Sequence, residues 1–271
     1  MPGVLRRHRD REARDHDGAI AMRLSPVCRL PGDQLARCLA GTVSAAGPCG
    51  EFRRVWIDVL GGVVSFAATD GRRLYVSQAE VEQSVDDHAF AIPLAAARAA
   101  QALAAAACGA DVQLVRTQTQ ATWSVDGVCL SSPVLGGGVA SWRQSVPRRA
   151  RGRRPTVCAS ALLAAIVAAE ARLDRRRAVS FRFGPRHVSL VFGSSRYGES
   201  AIVCPAAGVE LNAERALDPR HVREWLAALD GSATVSIDPG DGVAPVVLEH
   251  DDAVALVYPV KSGGAFAVEG R

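Results

Sequence analysis

Lysine is almost missing from this chain: Lys261 is the one lysine among 32 basic residues. Positive charge is therefore arginine, which points to a GC-rich coding sequence rather than to a function. Cysteine pairs at metal-ligand spacing are missing as well. The seven cysteines (Cys28, Cys38, Cys49, Cys108, Cys129, Cys158 and Cys204) are scattered and odd in number, and none forms C-x-x-C. No histidine stands at ligand spacing from any of them. That pattern excludes a zinc ribbon and a disulfide framework, and predicts buried free thiols in a reducing compartment. No apolar run reaches the length of a membrane span, and residues 1–21 lack the apolar core of a signal peptide. We therefore expect a cytoplasmic protein with no membrane partner.

Enzyme signatures are absent too. There is no G-x-x-x-x-G-K-[ST], no G-x-G-x-x-G after a strand and no H-E-x-x-H. Glu249-His250-Asp251-Asp252 has metal-ligand residue types, but it falls between two strand-like runs and reads as a polar hairpin turn. Ser131-Ser132 and Ser194-Ser195 show no His/Asp arrangement around them. A non-catalytic protein with no cofactor is the expectation.

What the chain does have is length for two cores, with 271 residues and 48% hydrophobic content. Its net charge of +4 is unevenly placed. Arg6, Arg7, Arg9, Arg11 and Arg14 crowd the start, Arg143 to Arg154 form a second dense run, and the remainder is near neutral. The first 21 residues are charged and poor in large apolar side chains. We read them as disordered or as an over-long start, with Met22 opening the first ordered segment.

From about residue 29 the chain reads helix, strands, helix, strands, and then repeats. Leu30, Leu35, Leu39 and Val43 give a helical stripe. Val55–Val59, Val63–Ala68 and Leu74–Ala79 follow as strands. A helix begins at Pro93, in the first-turn position that tolerates proline, and runs to about Ala107. Val112–Arg116, Ala121–Val125 and Val128–Ser132 alternate as strands. Ala161, Leu162, Ile166, Ala169 and Leu173 open the second round. Strands at Val179–Phe183, Val188–Phe192 and Ser200–Cys204 come next. Asp218-Pro219 then starts a helix with an N-cap carboxylate, and Val222, Trp225, Leu226 and Leu229 form its apolar face. Thr234–Ile237, Val246–Glu249 and Val254–Val257 close the chain. This is an α+β unit of about 120 residues present twice, helices packed on antiparallel sheet. We place the units at 22–147 and 156–261, with a linker at 148–155 and an extension at 262–271.

Five segments carry a resemblance. Phe66-Ala67-Ala68-Thr69-Asp70-Gly71-Arg72-Arg73-Leu74 resembles "ATDGHRLA" of the bacterial DNA polymerase III beta subunit, the sliding clamp. Ala91-Ile92-Pro93 resembles that family's "iiP" helix start. Ala140-Ser141-Trp142-Arg143-Gln144-Ser145-Val146-Pro147 falls where the family has "FPDYRRVLP". Leu217-Asp218-Pro219-Arg220-His221-Val222 resembles "FNPRYLL", and Leu256-Val257-Tyr258-Pro259-Val260-Lys261 resembles "VVMPMRL". Their order over residues 30–261 matches the second and third of the clamp's three domains; the first has no counterpart here.

The resemblance implies a DNA clamp fold of two tandem similar domains and a role as a processivity or docking factor at DNA, nucleoid-associated. It implies a pocket for linear peptides of polymerases or repair proteins, walled by Phe52, Thr69, Gly71, Arg72, Arg73, Leu74, Pro147, Leu256, Tyr258, Pro259 and Val260. Arg73 would meet an acidic group on the peptide. Tyr258 replaces the family's methionine with a bulkier, less adaptable side chain. Thr69-Asp70-Gly71 is also a plain hairpin turn, and the two readings are compatible. Facing duplex DNA, through sequence-blind phosphate contacts, would be Arg37, Arg98, Arg172, Arg175, Arg220 and Arg223. Equally, these are arginines on solvated helix faces. A two-domain subunit would close a six-domain ring as a homotrimer, served by a clamp-loader ATPase. The alternatives are a clamp-derived adaptor that forms no ring, and a gene whose first domain lies upstream.

Overall fold

The computed structural model describes residues 26–81, 87–136, 142–147, 154–173, 178–184, 186–194, 198–208 and 212–260. The segments 1–21 and 262–271, Arg175 and most of the 148–155 linker lie outside them.

The first unit runs β1 (Pro26–Pro31), α1 (Gly32–Ala45), β2 (Arg54–Leu60), β3 (Val63–Thr69), β4 (Arg73–Glu80), β5 (His88–Pro93), α2 (Leu94–Ala106), β6 (Asp111–Arg116), β7 (Gln120–Val125) and β8 (Val128–Pro133). A four-residue helix, α3 (Trp142–Ser145), follows. The second unit repeats the order: β9 (Thr156–Cys158), α4 (Ala159–Glu170), β10 (Val179–Gly184), β11 (His187–Ser194), β12 (Gly198–Pro205), β13 (Ala213–Leu217), α5 (Pro219–Leu226), β14 (Thr234–Asp238), β15 (Val246–His250) and β16 (Ala253–Val257). The fold is α+β, two tandem similar units with two helices each on antiparallel sheet.

Four strands were not expected: β1, β5, β9 and β13. Each runs directly into a helix, or is one residue short of doing so. Leu30 therefore belongs to β1 and not to the α1 stripe. Pro93 ends β5 and caps α2 instead of occupying its first turn. Pro219 does occupy the first turn of α5, where the Asp218 carboxylate accepts the Arg220 N–H at 3.1 Å.

The sheets are β1-β6-β7-β8, β12-β11-β10-β13, and an eight-stranded sheet β5-β2-β3-β4-β16-β15-β14-β9. The last is continuous because β4 and β16 pair antiparallel, Ser77 opposite Ala253 through Arg73 opposite Val257. On one side of it the helices pack in the sequence α2, α1, α5, α4. Alternation along each strand divides the side chains between a large core under the helices and a smaller cluster on the opposite face. Leu35 and Leu39 of α1, Leu162 and Ile166 of α4, and Val222 and Trp225 of α5 are buried in the first. Of the cysteines, Cys28, Cys38 and Cys204 are buried, and burial pushes the Cys28 and Cys38 thiols up to about 12. Cys49, Cys108, Cys129 and Cys158 are exposed, against the expectation of buried thiols throughout.

The contact of α1 with the end of α2 requires a glycine. A Cβ on Gly32 would lie 2.7 Å from the Ala104 carbonyl oxygen and 2.8 Å from the Ala107 Cβ. Backbone cannot yield there, since the Gly32 N–H also donates to the Ala110 carbonyl at 2.9 Å. Gly32→Ala should lower unfolding free energy by about 1–3 kcal/mol in urea titrations.

Candidate functional site

The joint between the two units collects most of the residues singled out from sequence. The Thr69-Asp70-Gly71 turn links β3 to β4. Gly71 has φ of +85°, its N–H donates to Thr69 Oγ1 at 2.9 Å, and the Arg72 N–H donates to Asp70 Oδ1 at 2.9 Å. A Cβ on Gly71 would meet the Phe52 Cζ at 3.5 Å, an ordinary contact, so it is the positive φ that calls for glycine. Opposite, the chain leaves β16 as Tyr258-Pro259-Val260. The Tyr258 N–H donates to the Arg72 carbonyl at 3.0 Å, and the Val260 N–H donates to the Ala216 carbonyl at 2.9 Å. Thus Phe52, Thr69, Gly71, Arg72, Leu74, Leu256, Tyr258, Pro259 and Val260 lie about one strand crossing.

Two features differ from the expected cleft. Leu74 and Leu256 face each other across the joint and are buried in the outer cluster with Trp56, Val76, Val247 and Trp142. Val146 packs on that cluster, and Arg143 Nε holds the α3 segment to Asp58 at 2.6 Å. These leucines form a roofed floor. Gly71, Arg72 and Tyr258 are exposed at the crossing, the last by 40%, and Pro147, exposed too, follows Val146 in the chain.

Arg73 is the second correction. Adjacent strand residues point to opposite faces, so Arg73 cannot share a wall with Leu74. Its guanidinium turns to the helix side and is buried. Nε reaches Asp70 at 3.1 Å, Nη1 reaches Glu224 of α5 at 2.5 Å, and Nη2 donates to the Ser44 carbonyl of α1 at 2.7 Å. The group also stands 5.4 Å from the Tyr75 ring centroid, and the Tyr75 hydroxyl donates to the His221 carbonyl. The acid it meets is internal. Nothing local in sequence announces Glu224, which lies 151 residues away.

The helix layer carries the remaining candidates. Arg37 pairs with Asp33 at 2.8 Å, Arg220 with its own cap Asp218 at 2.5 Å, and Arg223 with Glu170 at 3.1 Å. Arg98 and Arg172 are exposed, and among the described residues no carboxylate pairs with either. Around Arg98 the solvent side of α2 is Ala95, Ala99, Ala102, Ala105 and Ala106. A cavity of about 280 Å³ also opens at the joint, between α1 and the end of α5, with Arg37, Cys38, Gln78, Trp225 and Asp252 among its lining. Asp251-Asp252 form the tight β15–β16 turn; His250 bonds the Thr234 carbonyl at 3.1 Å and Glu249 pairs with Arg154 at 2.8 Å. No helix among the described residues is long and apolar enough to cross a membrane.

Comparison with solved structures identifies the architecture. The fold is that of the bacterial sliding clamps. The DNA polymerase sliding clamp of Pseudomonas aeruginosa, solved with a ligand, aligns at TM-score 0.77 and 15% identity, over 88% of this chain and 67% of that one. The DNA polymerase III beta subunit of Thermotoga maritima aligns at 0.77 and 14%, over 88% and 66%. A Pseudomonas aeruginosa clamp bound to griselimycin aligns at 0.77 and 15%, over 86% and 64%. The chain thus spans about two thirds of their length. No protein-family model and no curated protein matches the sequence.

The joint can be tested in two ways. Arg73→Ala leaves Asp70 and Glu224 without the cation they share. It should lower unfolding free energy by about 2–3 kcal/mol, less than the roughly 3–5 of a fully dry pair because Glu224 is part exposed, whereas Arg72→Ala should stay within about 0.5. The second test concerns pH. Burial first, and the Arg73 guanidinium second, hold the His221 pKa below its ordinary 6.5. The unfolded chain then binds the proton more readily, so stability falls as pH drops below about 6.5 and levels off beneath the folded-state value. Urea midpoints between pH 7.5 and 5 should show this slope, and His221→Leu should flatten it.

Proposed function

We propose that this chain is a sliding-clamp-like processivity or docking factor, non-catalytic, which associates with duplex DNA and carries polymerase or repair proteins on short peptides. The pairing of β4 with β16 carries the reading. It joins the helices of both units through the α1–α5 contact, and it brings Arg72 and Tyr258 together at one strand crossing, where a peptide would bind beside Gly71 and Pro147. The helix layer would face the duplex, with Arg98 and Arg172 as its unpaired cations and Arg37, Arg220 and Arg223 partly neutralised by their carboxylates. Arg175 completes the set proposed from sequence.

The exposed Tyr258 ring and the half-buried Phe52, Pro259 and Val260 suit the hydrophobic anchors of a linear motif, with Arg72 and Thr69 as polar groups beside them. Tyr258 offers a flat ring and a hydroxyl, which favours a peptide presenting an aromatic or a hydrogen-bond acceptor. Three copies would supply six units to a closed ring, and placing such a ring on closed DNA would fall to a separate loader ATPase. The site of action would be the nucleoid.

Light scattering at 50 and 200 mM salt should give the mass of three chains at micromolar concentration. A stable monomer at low salt would sink the ring. Binding to a labelled duplex should be weak and salt-sensitive. Arg98→Ala with Arg172→Ala should weaken it severalfold at 50 mM and reduce the salt slope by about 0.9 for each phosphate no longer neutralised. Duplex binding unchanged by the double substitution would remove the helix layer as the DNA face.

A further inference from the structure

The two helices that meet at the joint differ in length. α1 runs fourteen residues and α5 eight, about 21 and 12 Å at 1.5 Å per residue. They approach closely at Gly41, where a Cβ would stand 3.5 Å from the Ala228 Cβ and 3.7 Å from the Ser77 Oγ. By then α5 has ended at Leu226, and the chain turns away through Leu229 and Asp230. The first turns of α1 are left without a helix on that side. The space is the cavity of about 280 Å³, walled by Gln34, Arg37 and Cys38 on one side and by Asp230 and the His250–Asp252 turn on the other. It lies at the Ser77–Ala253 end of the β4–β16 ladder, under the helices. The crossing of Arg72 with Tyr258 lies at the opposite end and on the other face, so the two places are separate.

Two polar groups in the floor of the cavity lack partners. Ser77 is 7% exposed and Trp225 1%, yet neither the Ser77 hydroxyl nor the Trp225 indole N–H bonds a described residue. Nor are these atoms sealed from solvent, as the indole nitrogens of Trp123 and Trp142 are. Both therefore open onto the cavity. An indole N–H only donates, so it calls for an acceptor. The mouth calls for the opposite. Asp230, Asp251 and Asp252 stand there against one guanidinium, that of Arg37, which Asp33 already engages at 2.8 Å. His250 Nε2 reaches Asp251 at 3.4 Å, while Asp252 has no cation among the described residues.

We propose that this cavity is a second docking site, which takes a basic side chain presented on the peptide backbone of a partner protein. The methylenes of that side chain would cross Trp225 and Leu229, and its cation would meet Asp252 and Asp230. A neighbouring peptide carbonyl would accept the Trp225 N–H, a bond that a buried donor gains much by making. The ligand must bring a neutral acceptor and a positive charge together. A basic peptide does so; a phosphate backbone or an acidic peptide would be repelled by the three carboxylates. The volume lies just below the range of about 300–1,000 Å³ usual for small-molecule sites, which suits one side chain with its flanking backbone. Since α1 belongs to the first unit and Trp225 and Asp252 to the second, the occupant would bridge the joint. The site is independent of ring closure and of the crossing at Tyr258.

The probe is the capped dipeptide N-acetyl-Leu-Arg-amide, titrated into the ¹⁵N-labelled full chain while the four tryptophan indole N–H signals are followed. The Trp225 signal is the one missing from Trp225→Phe, or, if that variant misfolds, the one retained by Trp56→Phe, Trp123→Phe and Trp142→Phe alike. It should move and saturate with a Kd of about 1 mM, and the corresponding Leu-Glu dipeptide should leave it in place. Asp230→Asn with Asp252→Asn alters only groups at the mouth and should weaken binding about tenfold. No saturable movement of the Trp225 signal up to about 10 mM overturns the site. So does equal binding of the Leu-Glu dipeptide, or an affinity that the double substitution leaves unchanged.

Discussion

The pairing of β4 with β16 is the constraint on which the rest of the molecule depends. Two similar units could sit beside one another in many ways, but a shared backbone ladder admits one register. That register puts Arg73 beside α5, where it meets Glu224, and puts Leu74 against Leu256 on the other face. The ion pair and the apolar cluster are therefore consequences of a single alignment, one on each side of the sheet. The Ser44 carbonyl bonded to Arg73 and the His221 carbonyl bonded to Tyr75 extend the same alignment to helices of both units. A one-residue slip would turn Arg73 to the face of Trp56, Val76 and Trp142, away from Glu224 and the Ser44 carbonyl.

Much of this was legible from residues alone. Twelve strands and the four main helices follow from periodicity, because each either alternates or repeats near every fourth residue. The four strands that escaped share a cause. β1, β5, β9 and β13 each lead into a helix with at most one residue between, so they read as its approach; at β1, Leu30 extends the stripe of α1 and reads as helix. Proline was a reliable marker of a helix start but not of its position, since Pro93 caps α2 while Pro219 lies inside α5. At the joint, the turn chemistry of Thr69-Asp70-Gly71 was readable because its bonds are local. The direction of Arg73 was not, because strand alternation gives parity but not which face is which.

Arginine illustrates the same limit. The run of candidate arginines on the helices could be picked out, yet their charge balance is set by neighbours in space. Arg223 finds Glu170 on another helix, and Arg220 turns back on its own capping residue. These pairings leave the layer less positive than its arginines alone would make it.

The alanine surface of α2 has a consequence for motion. A methyl group neither donates nor accepts, so a polyanion laid along these alanines would find Arg98 as a cation and little else to hold it. Arg37, Arg220 and Arg223 already have carboxylate partners, which leaves Arg98 and Arg172 as the cations without one among the described residues. If the layer faces a polyanion as proposed above, such a surface would hold the charged rod at Arg98 and Arg172 and oppose its translation with little friction elsewhere.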